Sequence, residues 1–157
     1  MKIIEIENLD REVIFSYDEE DEKWIGGDYD FSGVNLERAN LEGIVWQLIS
    51  LRGANLKEAD CYWAILRGSD LSRSDCESAE FTGADLKEVN FTGANLKNAR
   101  FTKNNLGIST NVSGANFTGA VLDGAKFEET FYNARTIFPE NFNPEKNGLV
   151  RIKTPIE

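Results

Sequence analysis

Residues 80–96 read EFTGADLKEVNFTGANL, and large apolar residues in this stretch are spaced five apart: Phe81, Leu86, Phe91 and Leu96. The same spacing extends in both directions. It gives sixteen consecutive apolar centres over Phe31–Leu106 and, after one extra residue, five more over Val112–Tyr132. A five-residue repeat therefore organises most of the 157-residue chain.

The positions around each apolar centre are equally regular. Ala stands two residues before the centre in eleven repeats, Asn or Asp stands one residue before it in thirteen, and Gly stands two residues after it in nine. A period of five fits neither an α-helix nor a flat strand, because both would send successive centres to different faces. The chain must instead turn a corner within each repeat, with polar residues and Gly in the turn.

Two segments, Glu80–Leu86 and Phe91–Leu96, resemble the pentapeptide-repeat family. The resemblance covers roughly residues 29–138 and implies an all-β fold, a right-handed quadrilateral β-helix with four repeats per coil and about five coils. One column supports four repeats per turn, because residues twenty apart would then stack with alternating charge: Glu37, Lys57, Glu77 and Lys97.

The sequence predicts a single domain with three parts. Residues 1–28 form an N-terminal cap, a β-hairpin followed by an acidic loop at residues 18–22. Residues 29–138 form the pentapeptide-repeat β-helix. Residues 139–157 contain all three prolines and form an irregular C-terminal cap or tail, because proline cannot donate to ribbon pairing.

The charge distribution bears on possible partners. The formal net charge is −10, of which residues 1–30 carry −8 and the rest only −2. An acidic segment beside a nearly neutral body does not favour polyanions, so we expect no direct nucleic-acid binding. No apolar stretch is long enough to cross a membrane, so we expect no membrane association and a cytoplasmic location. Caps at both ends predict a monomer.

The composition predicts no catalytic, metal-binding or cofactor-binding residue. The chain has no His, the commonest general base and metal ligand. Cys61 and Cys76 occupy core centres without further ligands, and we interpret them as small buried apolar residues. An enzyme using exposed carboxylates is an alternative, but the repeat itself places acids at the positions concerned: Asp60, Asp75, Glu80 and Asp85.

The repeat is interrupted once, at residues 107–111. The interruption is compatible with a functional bulge or with a tolerated one-residue insertion. In this register Leu106 is a core centre, and the core column continues from Phe91 to Val112. Asn104 takes an inward position usually given to Ala, so we expect its amide to bond nearby backbone groups.

The most informative departures are large apolar residues at outward positions. We refer to this predicted cluster as the apolar patch: Val45, Leu48, Tyr62, Trp63 and Ile65. Patches of this kind mark protein interfaces, with Trp and Tyr as anchors. The alternative is that the N-terminal hairpin folds down and covers it.

These observations favour a non-catalytic scaffold or protein–protein interaction module with an unidentified protein partner. The resemblance implies one alternative, a DNA-mimicking inhibitor or protector of DNA gyrase or topoisomerase IV. The charge split argues against mimicry, because a mimic needs acidic residues along the whole rod.

Overall fold

The structure is a computed structural model and describes residues 3–18 and 29–153. Its strands are short: β1 (Ile3–Glu7), β2 (Val13–Asp18), β3 (Phe131–Tyr132) and β4 (Val150–Arg151). A 3₁₀ helix spans Glu145–Asn147. Between residues 30 and 137 the chain forms mainly single parallel bridges, as expected for a ribbon that turns a corner in every repeat.

Successive coils stack with four repeats per turn. Parallel bridges join residues that are twenty apart in sequence: Asp30–Ser50, Ser50–Asp70 and Asp70–Asn90. In the predicted charge column, Nζ of Lys57 lies 3.5 Å from Oε2 of Glu77. The turn of four repeats indicated by that column is present in the structure.

The repeat Val89–Gly93 shows how five residues build one side of a coil. Val89 and Phe91 are fully buried. Asn90 between them turns outward, and its Oδ1 accepts the Thr92 N–H at 3.0 Å. The corner follows at Gly93, where φ is +67°, a conformation that costs glycine little because it has no Cβ. The large residue, the amide and the glycine of the repeat each have a distinct structural role.

Stacked phenylalanine rings fill the middle of the solenoid. The Phe101 ring lies 5.2 Å from that of Phe81 and 4.7 Å from that of Phe127, centroid to centroid, and both pairs are stacked. Phe91 and Phe117 stack at 5.1 Å. All five side chains are buried. Burying each contributes roughly 1.5–3 kcal/mol, so coils gain stability only by stacking on one another.

The core register beyond Phe101 differs from the prediction. A one-residue slip would place Val112 beneath Phe91, but Asn90 pairs with Asn116 and Phe91 stacks on Phe117. The offset between stacked residues therefore rises from twenty to twenty-six for one coil. Six extra residues, rather than one, are accommodated at this point.

The extra residues form a projection from the coil, and we refer to residues 103–109 as the side loop. Leu106, predicted as a core centre, lies in this loop and is 66% exposed. Leu106 follows Phe101 by five residues and so fits the sequence repeat, although its side chain is not part of the core.

The N-terminal hairpin packs on the first coil. Strands β1 and β2 pair antiparallel, and the Asn40 N–H donates to the Glu7 carbonyl at 2.7 Å. The Trp46 Nε1–H donates to the Tyr17 hydroxyl at 3.1 Å, and the Phe15 and Phe31 rings contact edge to face at 4.9 Å. The acidic loop predicted at residues 18–22 lies, beyond Asp18, outside the described residues.

The C-terminal segment packs on the last coil. Strand β4 pairs with β3 in parallel, and the Phe138 ring stacks on that of Phe117 at 5.6 Å. Phe142 contacts the Phe127 ring at 5.5 Å, and Leu149 is buried. Apolar residues of this segment thus extend the core beyond the regular repeats.

Candidate functional site

The apolar patch lies at the surface. The exposed fractions of Val45, Leu48 and Trp63 are 57%, 65% and 37%, and Tyr62 and Ile65 are half-buried. Val45 and Ile65 pair across a parallel bridge on one side of the solenoid. The prediction that these residues face outward together on the early coils agrees with the geometry; their role in binding stays a prediction.

Two corner residues hold the edges of the patch. Trp63 and Leu48 adopt φ of +59° and +58°, and each side chain lies over a glycine of the next coil. A Cβ added to Gly83 would stand 2.6 Å from Trp63 Cδ1, and one added to Gly68 would stand 2.6 Å from Leu48 Cδ2. Tyr62 stacks on Trp63 with ring centroids 5.5 Å apart. Trp63 and Leu48 therefore pack directly against the backbone of the next coil.

The hairpin does not cover the exposed members of the patch. Its contacts are with the open end of the first coil, through Tyr17 to Trp46 and through Phe15 to Phe31. With residues 3–18 in place, Val45 remains more than half exposed. The predicted alternative of hairpin cover is thus not met by the part of the hairpin that the structure describes.

The side loop is held by two buried polar residues. Asn104 Oδ1 accepts the N–H groups of Leu106 and Ile108, each at 2.9 Å, which confirms that its amide bonds local backbone. Thr110 at the base is fully buried. Its Oγ1 lies 2.8 Å from the Phe81 carbonyl and accepts the Gly83 N–H at 2.9 Å. These hydrogen bonds give the side loop a defined conformation.

The side loop adds exposed apolar residues beside the patch. Leu106 and Ile108 are 66% and 48% exposed. The Tyr62 hydroxyl donates to Asn105 Oδ1 at 3.4 Å, so the loop adjoins the Tyr62–Trp63 pair. We define the contact surface as the apolar patch together with Leu106 and Ile108. The five-residue period gave no indication that these two residues are exposed. The consecutive amides Asn104 and Asn105 were the sequence signal that could have indicated a loop here.

A groove of about 400 Å³ lies between Tyr62 and the side loop. It crosses several coils, from Glu42 and Asp60 at one end to Arg100 and Lys103 at the other. The two cations at the far end are already paired: Arg100 Nε lies 3.0 Å from Glu80 Oε2, and Lys103 Nζ lies 2.7 Å from Glu129 Oε2.

The carboxylates considered for acid–base chemistry have structural roles. Each accepts the N–H of the residue two positions later, as Asp60 does from Tyr62 at 3.0 Å and Glu80 does from Thr82 at 3.0 Å. Asp75 and Asp85 make the same bond on two other sides of the solenoid. These bonds explain why the repeat favours Asp and Asn at this position. Among the described residues, no group of three or more His, Cys, Asp or Glu could hold a metal ion.

The two cysteines are fully buried in the core. Burial raises the pKa of the Cys76 thiol to about 12 and raises that of Cys61 well above its ordinary value. Both thiols thus stay protonated near neutral pH. Their placement agrees with the interpretation as small buried apolar residues.

We expect both thiols to be inert to thiol-specific reagents at pH 8 while the protein is folded, and both to react after unfolding in guanidinium. The pKa of a thiol in the unfolded chain is about 8.5. Because the pKa values of both thiols are higher in the folded protein, they contribute stability that is fully present below that pH. Stability should therefore fall as pH rises from about 8.5 toward 12. Titration with a chromogenic disulfide checks the reactivity, and rapid labelling of the native protein would contradict the burial.

Comparison with known proteins decides the family. A sequence model described as Pentapeptide repeats matches residues 30–73, 69–106 and 108–131, in 8 copies. This chain belongs to the pentapeptide-repeat family. The right-handed quadrilateral β-helix predicted for it is the fold of this family, and the strand-dominated coil described above has that architecture.

Solved structures of pentapeptide-repeat proteins are similar to this one. One from Nostoc is 32% identical, with 83% of this chain and 91% of that chain covered and a TM-score of 0.47. One from the Arabidopsis thaliana thylakoid lumen is 29% identical, with 72% and 74% covered and a TM-score of 0.48. QnrB1, a plasmid-mediated fluoroquinolone resistance protein, is 14% identical, with 80% and 91% covered and a TM-score of 0.41.

No curated protein matches the sequence. Across residues 3–18 and 29–153, no helix has the length and apolar character needed to cross a membrane.

Proposed function

We propose that this pentapeptide-repeat protein is a non-catalytic interaction module that binds a partner protein through the contact surface. The observation that carries the proposal is the exposure of large apolar side chains in one area: Val45, Leu48, Trp63, Leu106 and Ile108. Several large apolar groups exposed on the same part of a protein surface are characteristic of an interface.

The construction of the contact surface supports binding rather than chance exposure. Trp63 rests on the backbone at Gly83 and stacks with Tyr62, and Asn104 fixes the loop that carries Leu106. Side chains already held in place lose little conformational entropy when a partner binds. Trp and Tyr are also among the residue types most often found as binding anchors.

The described surface supports this function over DNA mimicry. Several acidic side chains on the body are paired with bases, so unmatched negative charge does not run along its whole length: Lys57 with Glu77, Lys87 with Asp85, Arg100 with Glu80, and Arg135 with Glu88. A DNA mimic presents unmatched negative charge along its length. We also propose that the protein is monomeric and cytoplasmic. The N-terminal hairpin and the C-terminal segment pack on the end coils, which supports a monomer. The two free thiols support a cytoplasmic location, because disulfides are rare there.

The test is affinity capture from cells that make the protein, with the double variant Trp63→Ser/Leu106→Ser against the wild type. We expect the variant to lose the partner that the wild type retains, because removing two large exposed apolar anchors costs about 2 kcal/mol or more of binding free energy. Val121→Ser is the matched control, since Val121 is 43% exposed but lies on another side of the solenoid.

Three outcomes decide the proposal. Loss of the captured protein in the double variant alone supports it. Equal capture by all three proteins, or by none of them, rejects it. Circular dichroism and light scattering of each variant ensure that a loss reflects the surface, because the exposed substitutions should leave the fold and the molecular mass unchanged.

A further inference from the structure

The groove between Tyr62 and the side loop has dimensions suited to an extended peptide. Its lining residues come from four successive coils, between Glu42 on the first and Thr102 on the fourth. Coils stack about 4.8 Å apart, so four levels span roughly 14 Å, the length of about four residues in an extended chain. The groove opens beside Trp63 and the loop that carries Leu106, so a segment lying in it would also touch the contact surface.

Negative charge at the first-coil end of the groove is unmatched. Asn40 pairs with Asp60, and the Gly43 N–H donates to the Tyr62 carbonyl at 2.8 Å, which places Glu42 one level from Asp60 and Tyr62. In the described residues no Lys or Arg nitrogen lies within 4.0 Å of the Glu42 or Asp60 carboxylate, whereas Glu80, further along, is paired with Arg100. This end of the groove therefore favours a cation.

An aromatic ring adds to this preference for a cation, and an unpaired amide donor lies beside it. Tyr62 lines the groove beside the two acids, and the face of an aromatic ring attracts a guanidinium or ammonium group. Asn104 also lines the groove. Its Nδ2 is a buried donor with no acceptor among the described residues, an unmet hydrogen bond in the wall of the groove.

We propose that the groove binds an extended segment of the partner protein that carries an arginine or lysine side chain next to apolar residues. The basic side chain lies against Glu42, Asp60 and the Tyr62 ring, and the apolar neighbours pack on Trp63 and Leu106. This inference rests on the proposed function and specifies the chemistry of the partner. Arginine is preferred, because its planar guanidinium both stacks on a ring and bonds two carboxylate oxygens.

The test is selection of short random peptides displayed on phage, with the wild type and Glu42→Gln/Asp60→Asn as targets. Asn at position 60 retains the bond to the Tyr62 N–H, as Asn90 does to Thr92 at 3.0 Å in its own repeat. Glu37→Gln/Asp75→Asn is the matched control, because it removes the same charge from the neighbouring side of the solenoid. The strongest selected peptide is then measured by calorimetry, alongside its arginine-to-citrulline analogue.

We expect the wild type to enrich peptides that combine a basic residue with apolar neighbours. Binding should weaken at least about tenfold in the groove variant and with citrulline, and hardly change in the control variant. Enrichment without basic residues, equal binding by the groove variant, or no enrichment overturns the inference. Binding that is lost in Trp63→Ser/Leu106→Ser but kept in the groove variant rejects the basic segment and leaves the proposed function standing.

Discussion

Replacing Phe101 by Ala will lower the free energy of unfolding by about 3–5 kcal/mol, whereas Leu106→Ala will change it by less than about 0.5 kcal/mol. Phe101 is fully buried between the stacked rings of Phe81 and Phe127. Its removal both exposes apolar surface and leaves a cavity that neighbouring coils cannot close. Leu106, five residues later, is 66% exposed and has little burial to lose.

This pair of substitutions discriminates between two registers of the repeat. If the five-residue repeat continued through this point, Leu106 would be a buried core residue like Phe101, and Leu106→Ala would then cost about 2–5 kcal/mol. Urea denaturation of both variants gives the free energies, with an unchanged m-value as the check that both unfold to the same extent. A large loss for Leu106→Ala would contradict the side loop and restore the one-residue slip.

Thr110→Val will cost about 1–3 kcal/mol, a large effect for so small a change in shape. Thr110 Oγ1 lies 2.8 Å from the Phe81 carbonyl and 2.9 Å from that of Thr102, and it accepts the Gly83 N–H at 2.9 Å. Valine fills the same volume but provides neither donor nor acceptor. The Gly83 N–H would then keep only its longer bond to the Thr102 carbonyl, at 3.2 Å, and the Phe81 and Thr102 carbonyls would each lose the hydroxyl beside them.

The matched control is Thr118→Val. Thr118 is exposed, and its hydroxyl bonds only Asn116 Oδ1, at 2.6 Å, among the described residues. We expect its substitution to alter stability by less than about 0.5 kcal/mol. Amide exchange of the Gly83 N–H, measured in both variants, provides a local readout that should accelerate only in Thr110→Val. Equal stabilities for the two variants would show that Thr110 does not hold the base of the loop.

The sequence was sufficient to predict the solenoid because its determinants repeat. Phe91 shows the apolar centre, Asn90 the outward amide and Gly93 the left-handed corner, and the same set recurs often enough to fix both the turn and the stacking offset. The exposed positions of Val45 and Trp63 followed from the same lattice. Resemblance to the pentapeptide-repeat family supplied the handedness.

The side loop could not be predicted because its determinants do not repeat. Asn104 and Thr110 hold it through individual hydrogen bonds, and nothing in a five-residue period encodes such bonds. Leu106 occurs at a spacing of five and therefore imitated a core residue. The groove escaped prediction for the same reason, since one of its walls is the loop. Periodicity locates what recurs, whereas the elements proposed to bind a partner are local exceptions to it.

The seating of large corner residues over glycines has a consequence for remodelling this solenoid. Trp63 lies over Gly83 and Leu48 lies over Gly68. Glu88 is a third example, because a Cβ added to Gly114 would stand 3.1 Å from Glu88 Cγ. A corner side chain that lies over the next coil in this way thus requires a glycine beneath it, whereas Arg38, Glu58 and Ser78 follow one another at a different corner without a glycine. Such positions should vary in pairs during evolution, and an engineer who excises or duplicates a coil must transfer both members together.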